Sequence, residues 1–390
     1  MKYYVLFFFG LATVYCDDVN LDYFAAGNNK FSFDVYKEIK ATENGNFLFC
    51  PLSAEIILGL TRVGARGKTG AEMSKALHLP DDVNKIERIF KTLTPKLKSD
   101  EGYTLNSANR MYLQMDYEIR KDFINIAQNS FLADVENVDF NKKDKTAGAI
   151  NQWVSDQTHG KIKDWVDPDM FTTDSRIVLV NALYFKSTWK TKFNEHDTKT
   201  KPFYLNNNNH VDVDMMEVTN YFRYFNNEEL KAKFLEMPYL GDQYSMVFVL
   251  PHDKEGLAIL ENKLEDVINE TRGYQVKVHV QVPKFKTEFK VELTGILKNL
   301  GVKDAFTDYA DLTGISVSSQ ELLKISDVIQ KAVVEVDEEG TTAAASTAVH
   351  VVTTYSLIQP VIQEFNVDHP FIYYIKGPNG VMFIGRYVQK

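Results

Sequence analysis

Apolar residues recur at three-to-four spacing over residues 31–40, 53–64, 70–76, 83–97, 119–130 and 144–159, which predicts amphipathic helices through the first part of the chain. The pattern then changes. Residues 177–185, 244–250, 275–285, 371–375 and 381–388 are rich in Val, Ile, Tyr and Phe, the composition of strands. Pro251-His252-Asp253 closes one of them, and Gly377-Pro378-Asn379-Gly380 joins the last two as a hairpin. Helices early and mostly antiparallel strands late give an α+β class, with no internal repeat to suggest a solenoid. The polar run Asn206-Asn207-Asn208-Asn209 is too short to separate domains, so residues 17–390 are expected to form one.

One segment fits neither pattern. Glu335-Val336-Asp337-Glu338-Glu339-Gly340 leads into small residues, and from Thr341 to Gln363 there is no Asp, Glu, Lys or Arg. Such a stretch lacks the charge that keeps exposed chain solvated and apart from neighbouring strands. With a period of two, Thr341, Ala343, Ala345, Thr347, Val349 and Val351 share one face, and Thr342, Ala344, Ser346, Ala348 and His350 the other. Both faces suit a sheet. An alanine-rich linker or surface helix is the alternative.

Glu338-Glu339-Gly340-Thr341-Thr342-Ala343-Ala344-Ala345-Ser346-Thr347-Ala348 resembles the hinge of the serpin reactive-centre loop. Further blocks resemble the same family in the same order. They are Asn46-Phe47-Leu48-Phe49-Cys50-Pro51-Leu52-Ser53, Gly64-Ala65 with Thr69, and Ile150-Asn151-Gln152-Trp153-Val154 with Thr158 and Gly160-Lys161-Ile162. Asn181-Ala182-Leu183-Tyr184-Phe185-Lys186 with Trp189 and Phe193, Asp368-His369-Pro370-Phe371, and Phe383-Ile384-Gly385-Arg386 complete the set. The resemblance implies a serpin fold of about nine helices around three mostly antiparallel or mixed sheets, with an exposed reactive-centre loop at about residues 338–362. It implies a reactive bond between Thr354 and Tyr355, seventeen residues counted from Glu338. The stretch from Thr354 to Phe365 is about two residues longer than is usual, so cleavage after Thr353 or Ser356 stays open. Trp189 matches the tryptophan beneath the sheet entrance, although a Trp after a strand is also ordinary core. Ser53 and Asn181 match members of the hydrogen-bonded cluster at the sheet centre. Cys50 stands where the family usually has serine, and Gln330 where it usually has histidine, so sheet opening is expected to be tuned differently and to lack a histidine pH response.

The activity so implied is that of a suicide inhibitor, not an enzyme. A protease attacks the reactive bond and forms an acyl-enzyme, and the freed loop enters the main sheet as a new strand before water can release it. Thr354 supplies neither a cation for a trypsin-like pocket nor a ring for a chymotrypsin-like slot. An elastase-like serine protease or a papain-like (cathepsin-like) cysteine protease is therefore expected, the latter reading Val352 or Tyr355. The complex would be covalent and 1:1, the free inhibitor a monomer. A non-inhibitory serpin that carries, stores or chaperones a ligand is the alternative, and its hinge would be expected to hold bulky, charged or proline residues.

Composition narrows the rest. Lys2, the apolar run 5–14 and Cys16 have the layout of a secretory signal peptide over residues 1–16, too short to span a bilayer, so an extracellular protein without a membrane anchor is expected. After cleavage only Cys50 remains and no intrachain disulfide is possible. With 44% hydrophobic and 13% aromatic residues, the chain can instead be stabilised by a large core. The net charge of −9, one unit lower once Lys2 leaves, disfavours nucleic acid or heparin-like partners, and Lys142-Lys143-Asp144-Lys145 reads as a solvated helix start. Asn269-Glu270-Thr271 is a sequon for a glycan at Asn269. Gly67-Lys68-Thr69 lacks the first glycine of a phosphate loop, Arg62 standing in its place. The 8 histidines show no metal spacing, and no Gly-x-Ser-x-Gly elbow occurs, so no metal, cofactor or catalytic nucleophile is expected.

Overall fold

The computed structural model describes residues 21–97, 99, 102–317, 323–340 and 361–389. The helices among these are α1 (Leu21–Thr42), α2 (Pro51–Gly64), α3 (Gly67–Ala76), α4 (Val83–Leu93), α5 (Lys121–Ser130), α6 (Lys143–Gln157), α7 (Leu257–Glu261), α8 (Leu264–Ile268) and α9 (Leu293–Asn299). The strands begin with β1 (Phe47–Phe49), β2 (Tyr103–Gln114), β3 (Asp134–Val138), β4 (Ile177–Ser187), β5 (Lys199–Tyr204), β6 (His210–Asn227) and β7 (Ala232–Pro238). They continue with β8 (Ser245–Pro251), β9 (Tyr274–Pro283), β10 (Phe285–Glu292), β11 (Ile325–Val336), β12 (Gln363–Asn366), β13 (Phe371–Gly377) and β14 (Gly380–Tyr387). None of these helices is long and apolar enough to cross a membrane.

A five-stranded sheet runs in the order β10-β11-β4-β2-β3, and a nine-stranded sheet in the order β1-β14-β13-β8-β7-β6-β9-β12, with β5 paired to β6. The three sheets implied by the family resemblance therefore form two hydrogen-bonded ladders. The reason is β6, whose 18 residues pair with β5, β9 and β7 in turn and fuse two sheets into one. The main core lies between the two sheets and around α1 and α2, and its buried side chains run from Phe24 to Tyr387. A second core, with Ile150, Val154, Ile162 and Trp165, packs α6 and the chain after it onto the other face of the five-stranded sheet.

Most sequence-derived elements lie within a few residues of their expected places. The helix expected over 83–97 stops at Leu93, because Pro95 cannot continue it and Thr94–Lys96 tightens into a 3-10 turn. The strand pattern missed β2. Covered on both faces, β2 loses the alternation that marks a half-exposed strand, and Asn106, Ser107 and Asn109 read as turn residues.

Candidate functional site

The five-stranded sheet has a seam at its centre. β11 pairs parallel with β4, from Ile325 opposite Ile177 to Val334 opposite Phe185, while their outer neighbours β10 and β2 pair antiparallel to them. Two parallel strands side by side have a specific consequence: a strand running the other way can enter between them and be antiparallel to both. Antiparallel ladders are the more stable per residue, so such an insertion is downhill once the seam opens. β11 leads directly into the 337–340 turn, which the uncharged segment follows in the sequence.

Aromatic packing and an ion pair to a buried carboxylate hold that turn. Trp189 is buried, stacks on Tyr239 with ring centroids 4.4 Å apart, and meets Phe193 edge-on. Its indole Nε1 donates to the Asp337 carbonyl (2.9 Å), its amide donates to the Glu339 carbonyl (3.0 Å), and the Phe193 amide donates to that of Glu338 (2.9 Å). The chain beyond β11 is thus already stitched to the chain beyond β4. Gly340 closes the turn at φ +73°, and a side chain there would place its Cβ 2.3 Å from the Ser187 carbonyl, so only glycine fits. The buried Glu338 carboxylate accepts from Lys284 Nζ (2.8 Å) and Thr198 Oγ1 (2.9 Å). Burial opposes its ionisation, but the Lys284 ammonium, the Glu338 amide and the Thr198 hydroxyl outweigh it and hold its pKa below the usual carboxylate range. Just below, Lys186 lies 3.9 Å from Glu335 and 3.8 Å from Asp337.

Halfway down the seam a polar row crosses three strands. Strand register places Gln330 beside Asn181 and Asn181 beside Asn109. Their side chains point inward to the N-terminus of α2, where Cys50 and Ser53 meet them. Gln330 Nε2 donates to Asn181 Oδ1 (2.5 Å) and to the Cys50 carbonyl (2.9 Å), and Gln330 Oε1 accepts from the Cys50 amide (2.8 Å). Asn181 Nδ2 donates to Ser53 Oγ (2.5 Å) and to Asn109 Oδ1. Asn109 Nδ2 donates to Ser107 Oγ (3.0 Å). Within this row, the Gln330–Asn181 bond spans the seam. Helix α2 holds both sides of it, β11 through Cys50 and the β4–β2 block through Ser53.

This geometry changes the meaning of the two departures from the family pattern. Gln330 is fully used, with its amide oxygen and nitrogen both engaged. Cys50 takes part through its main chain, and burial drives its thiol far above the usual range, leaving it inert. Gln330→Ala would leave the Cys50 amide and carbonyl and Asn181 Oδ1 without these partners in a buried site, at an expected cost of about 3 kcal/mol or more. Cys50→Ala should cost only about 1 kcal/mol, the value of the buried sulfur volume. Urea midpoints of the two variants check this, and equal losses would show that the thiol matters as much as the amide.

The other residues singled out from the sequence have mixed fates. Cys50, Ser53, Asn181 and Gln330 converge in the row, and Trp189, Glu338, Glu339 and Gly340 converge at the top of the seam. Thr341, Thr342, Ala343, Ala344, Ala345, Ser346, Thr347 and Ala348 lie outside the described residues, as do Thr353, Thr354, Tyr355 and Ser356 and the leader 1–16. Asn269 and Thr271 are exposed at the end of α8. Sequence reasoning missed Asn109 and Ser107, because β2 was not recognised as a strand. It also missed Lys284, Thr198 and Tyr239, brought to the turn from distant elements by folding alone.

Comparison with known proteins gives this geometry a context. The family model described as Serpin (serine protease inhibitor) matches residues 26–390. Alaserpin of Manduca sexta is 35% identical over 367 residues, covering 93% of this chain and 93% of that protein. Leukocyte elastase inhibitor of Sus scrofa is 36% identical over 380 residues, covering 94% and 99%. Among solved structures, Serpin48, a highly specific serpin in the insect Tenebrio molitor, superposes with a TM-score of 0.88 at 38% identity, covering 95% of this chain and 99% of that one.

Proposed function

The chain belongs to the serpin family, and on that premise we propose that it is a secreted suicide inhibitor of a protease. The observation that carries the proposal is the parallel β11–β4 seam leading into a hinge of small, uncharged residues. β4 has 11 residues and β11 has 12, a slot matched in length by residues 341–352. The target protease attacks the bond between Thr354 and Tyr355, or the bond after Thr353 or Ser356, and its nucleophile forms an acyl-enzyme as the new amino terminus departs. The freed segment then passes the Trp189–Tyr239 pair, parts Gln330 from Asn181, and fills the seam. Seventeen residues at strand rise carry the tethered protease on the order of 55 Å. Displacement of its catalytic groups stops deacylation, because small misplacements there cost large factors in rate.

Thr354 and its surroundings suit an elastase-like serine protease or a papain-like cysteine protease and disfavour a trypsin-like cation pocket. The relative named for leukocyte elastase supports the first, while Val352 and Tyr355 support the second. Residues 17–390 form one domain after loss of the leader 1–16, and the inhibitor meets its target as a monomer, 1:1. A carrier or storage role is disfavoured because the hinge lacks the proline, charge or bulk that would block insertion.

The test incubates the protein with trypsin, elastase and papain. Elastase or papain should give an adduct of summed mass that survives denaturing gels, and trypsin should not. Mass spectrometry of the released C-terminal peptide then fixes the bond, and the peptide holding Asn269, taken from secreted material, should carry a glycan mass. Cleavage at the loop with no adduct from any of them would overturn the inhibitor reading.

A further inference from the structure

The chain holds two Asn-Gly pairs, Asn44-Gly45 and Asn379-Gly380, and folding puts them in opposite surroundings. A backbone amide can attack the side-chain amide of the residue before it, and glycine, with no Cβ, leaves that approach open. Asn379 is 7% exposed in the β13–β14 hairpin, where Gly380 is paired with Gly377. Its backbone is pinned. Asn44 is exposed in the loop between α1 and β1, and a Cβ added at Gly45 would meet nothing closer than Gln389 Nε2 at 3.7 Å. Among the described residues, no hydrogen bond engages the Asn44 side chain or the Gly45 amide.

The same loop holds a buried charge. The carbonyls on either side of Asn44, those of Glu43 and Gly45, accept from Arg386 Nη2 (2.6 Å) and Nε (3.0 Å). Through Nη1 the guanidinium also donates to Glu261 (2.9 Å), whose carboxylate accepts from Tyr36 as well. Both members of that ion pair are buried. One residue on, Asn46 accepts from the Val388 and Gln389 amides and donates to the Gln389 carbonyl, so residues 43–46 fasten the chain at the end of β14. A planar, rigid guanidinium fork needs its two carbonyls at a fixed spacing.

We propose that Asn44 is a site of spontaneous deamidation, and that its isoaspartate product loosens the grip on Arg386. The Gly45 nitrogen gives its proton to a solvent base and bonds to Asn44 Cγ, the Cγ–Nδ2 bond breaks, and ammonia leaves. Water then opens the five-membered imide. Opening at the original main-chain carbonyl routes the backbone through Cγ, which adds one carbon to the chain between the Glu43 and Gly45 carbonyls and frees an α-carboxylate. The two acceptors then no longer fit one guanidinium, and a buried charge with fewer partners destabilises the fold. Opening at Cγ gives aspartate, which keeps the backbone length and the grip. This chemistry needs neither a protease nor strand insertion.

The test holds the full chain for days at physiological temperature in mildly alkaline buffer, digests it with trypsin, and reads peptides 41–62 and 377–386 by mass spectrometry. Fragmentation separates Asn44 from Asn46. Asn44 should gain one mass unit at least tenfold faster than Asn379, and enzymatic methylation selective for isoaspartate should mark the first peptide. Gly45→Ala, for which the loop has room, should keep the fold and slow the change at least tenfold. The aged protein should melt a few degrees below the fresh one, whereas aged Gly45→Ala should hold its midpoint. Asn44→Asp, which has the charge without the longer backbone, should melt with the fresh protein. Equal rates at Asn44 and Asn379, or no change at Asn44, would overturn the site. An isoaspartate-rich sample that melts with the fresh protein, or an equal loss in Asn44→Asp, would overturn the loosened grip.

Discussion

A single cut after Thr354 should raise the melting temperature of the protein by on the order of 10 °C. Peptide bond cleavage ordinarily does nothing of the kind, since it adds freedom to the unfolded chain. The gain comes from the seam. In the intact chain β11 and β4 share one parallel ladder over about nine positions. After cleavage about twelve residues from Thr341 onward can lie between them, replacing that ladder with two antiparallel ones. The net increase is on the order of ten backbone hydrogen bonds, each worth about 1 kcal/mol after water is accounted for. For a chain of this size each kcal/mol moves the midpoint by roughly 1 °C. Calorimetry of intact and nicked protein measures the difference directly. Equal midpoints would mean that no strand enters the seam, and the trapping mechanism would fall with it.

Thr341→Arg should turn the protein from an inhibitor into a substrate of the same protease. Thr341 follows Gly340, whose backbone already touches the Ser187 carbonyl and the Trp189 amide, so insertion must begin with this side chain. The sheet entrance beside Gly340 is packed with Trp189, Tyr239 and Phe193, and a guanidinium that enters there must give up its hydration. Burying that charge unpaired would cost several kcal/mol. Insertion competes with hydrolysis of the acyl-enzyme, and each 1.4 kcal/mol shifts that competition about tenfold. The number of inhibitor molecules consumed per protease inactivated should therefore rise by roughly tenfold or more, with the initial cleavage rate nearly unchanged. An adduct in full yield from this variant would show that Thr341 points outward.

The hinge was legible because its signal is chemical as well as periodic. A long run without charge, small on one face and branched further along, has few uses except as a strand in waiting, and Glu338 and Gly340 mark where it starts. Gly340 could be named from sequence, and folding supplied the reason: a positive φ and a carbonyl too close for any Cβ. Cys50 and Gln330 were legible as departures, and Gln330 as a side chain that can donate and accept. A thiol in place of a hydroxyl seemed a loss until the main chain of Cys50 proved to make the bonds. Lys284 illustrates the opposite limit. In sequence it is one lysine after Pro283, and nothing local tells it apart from its neighbours Lys286 and Lys290. Only the turn that buries Glu338 beside it makes it an anchor.

By itself the sequence determined the α+β class, several of the helices and strands, the family, and a C-terminal segment suited to becoming a strand, because these depend on local periodicity, turn chemistry and the absence of charge. The tertiary structure decided which strands lie parallel at the centre of the sheet, and that Gln330, Asn181 and Asn109 fall in one row. Those features depend on pairing between segments up to 280 residues apart, and strand register is a property of two chains of backbone brought together, written in neither of them alone.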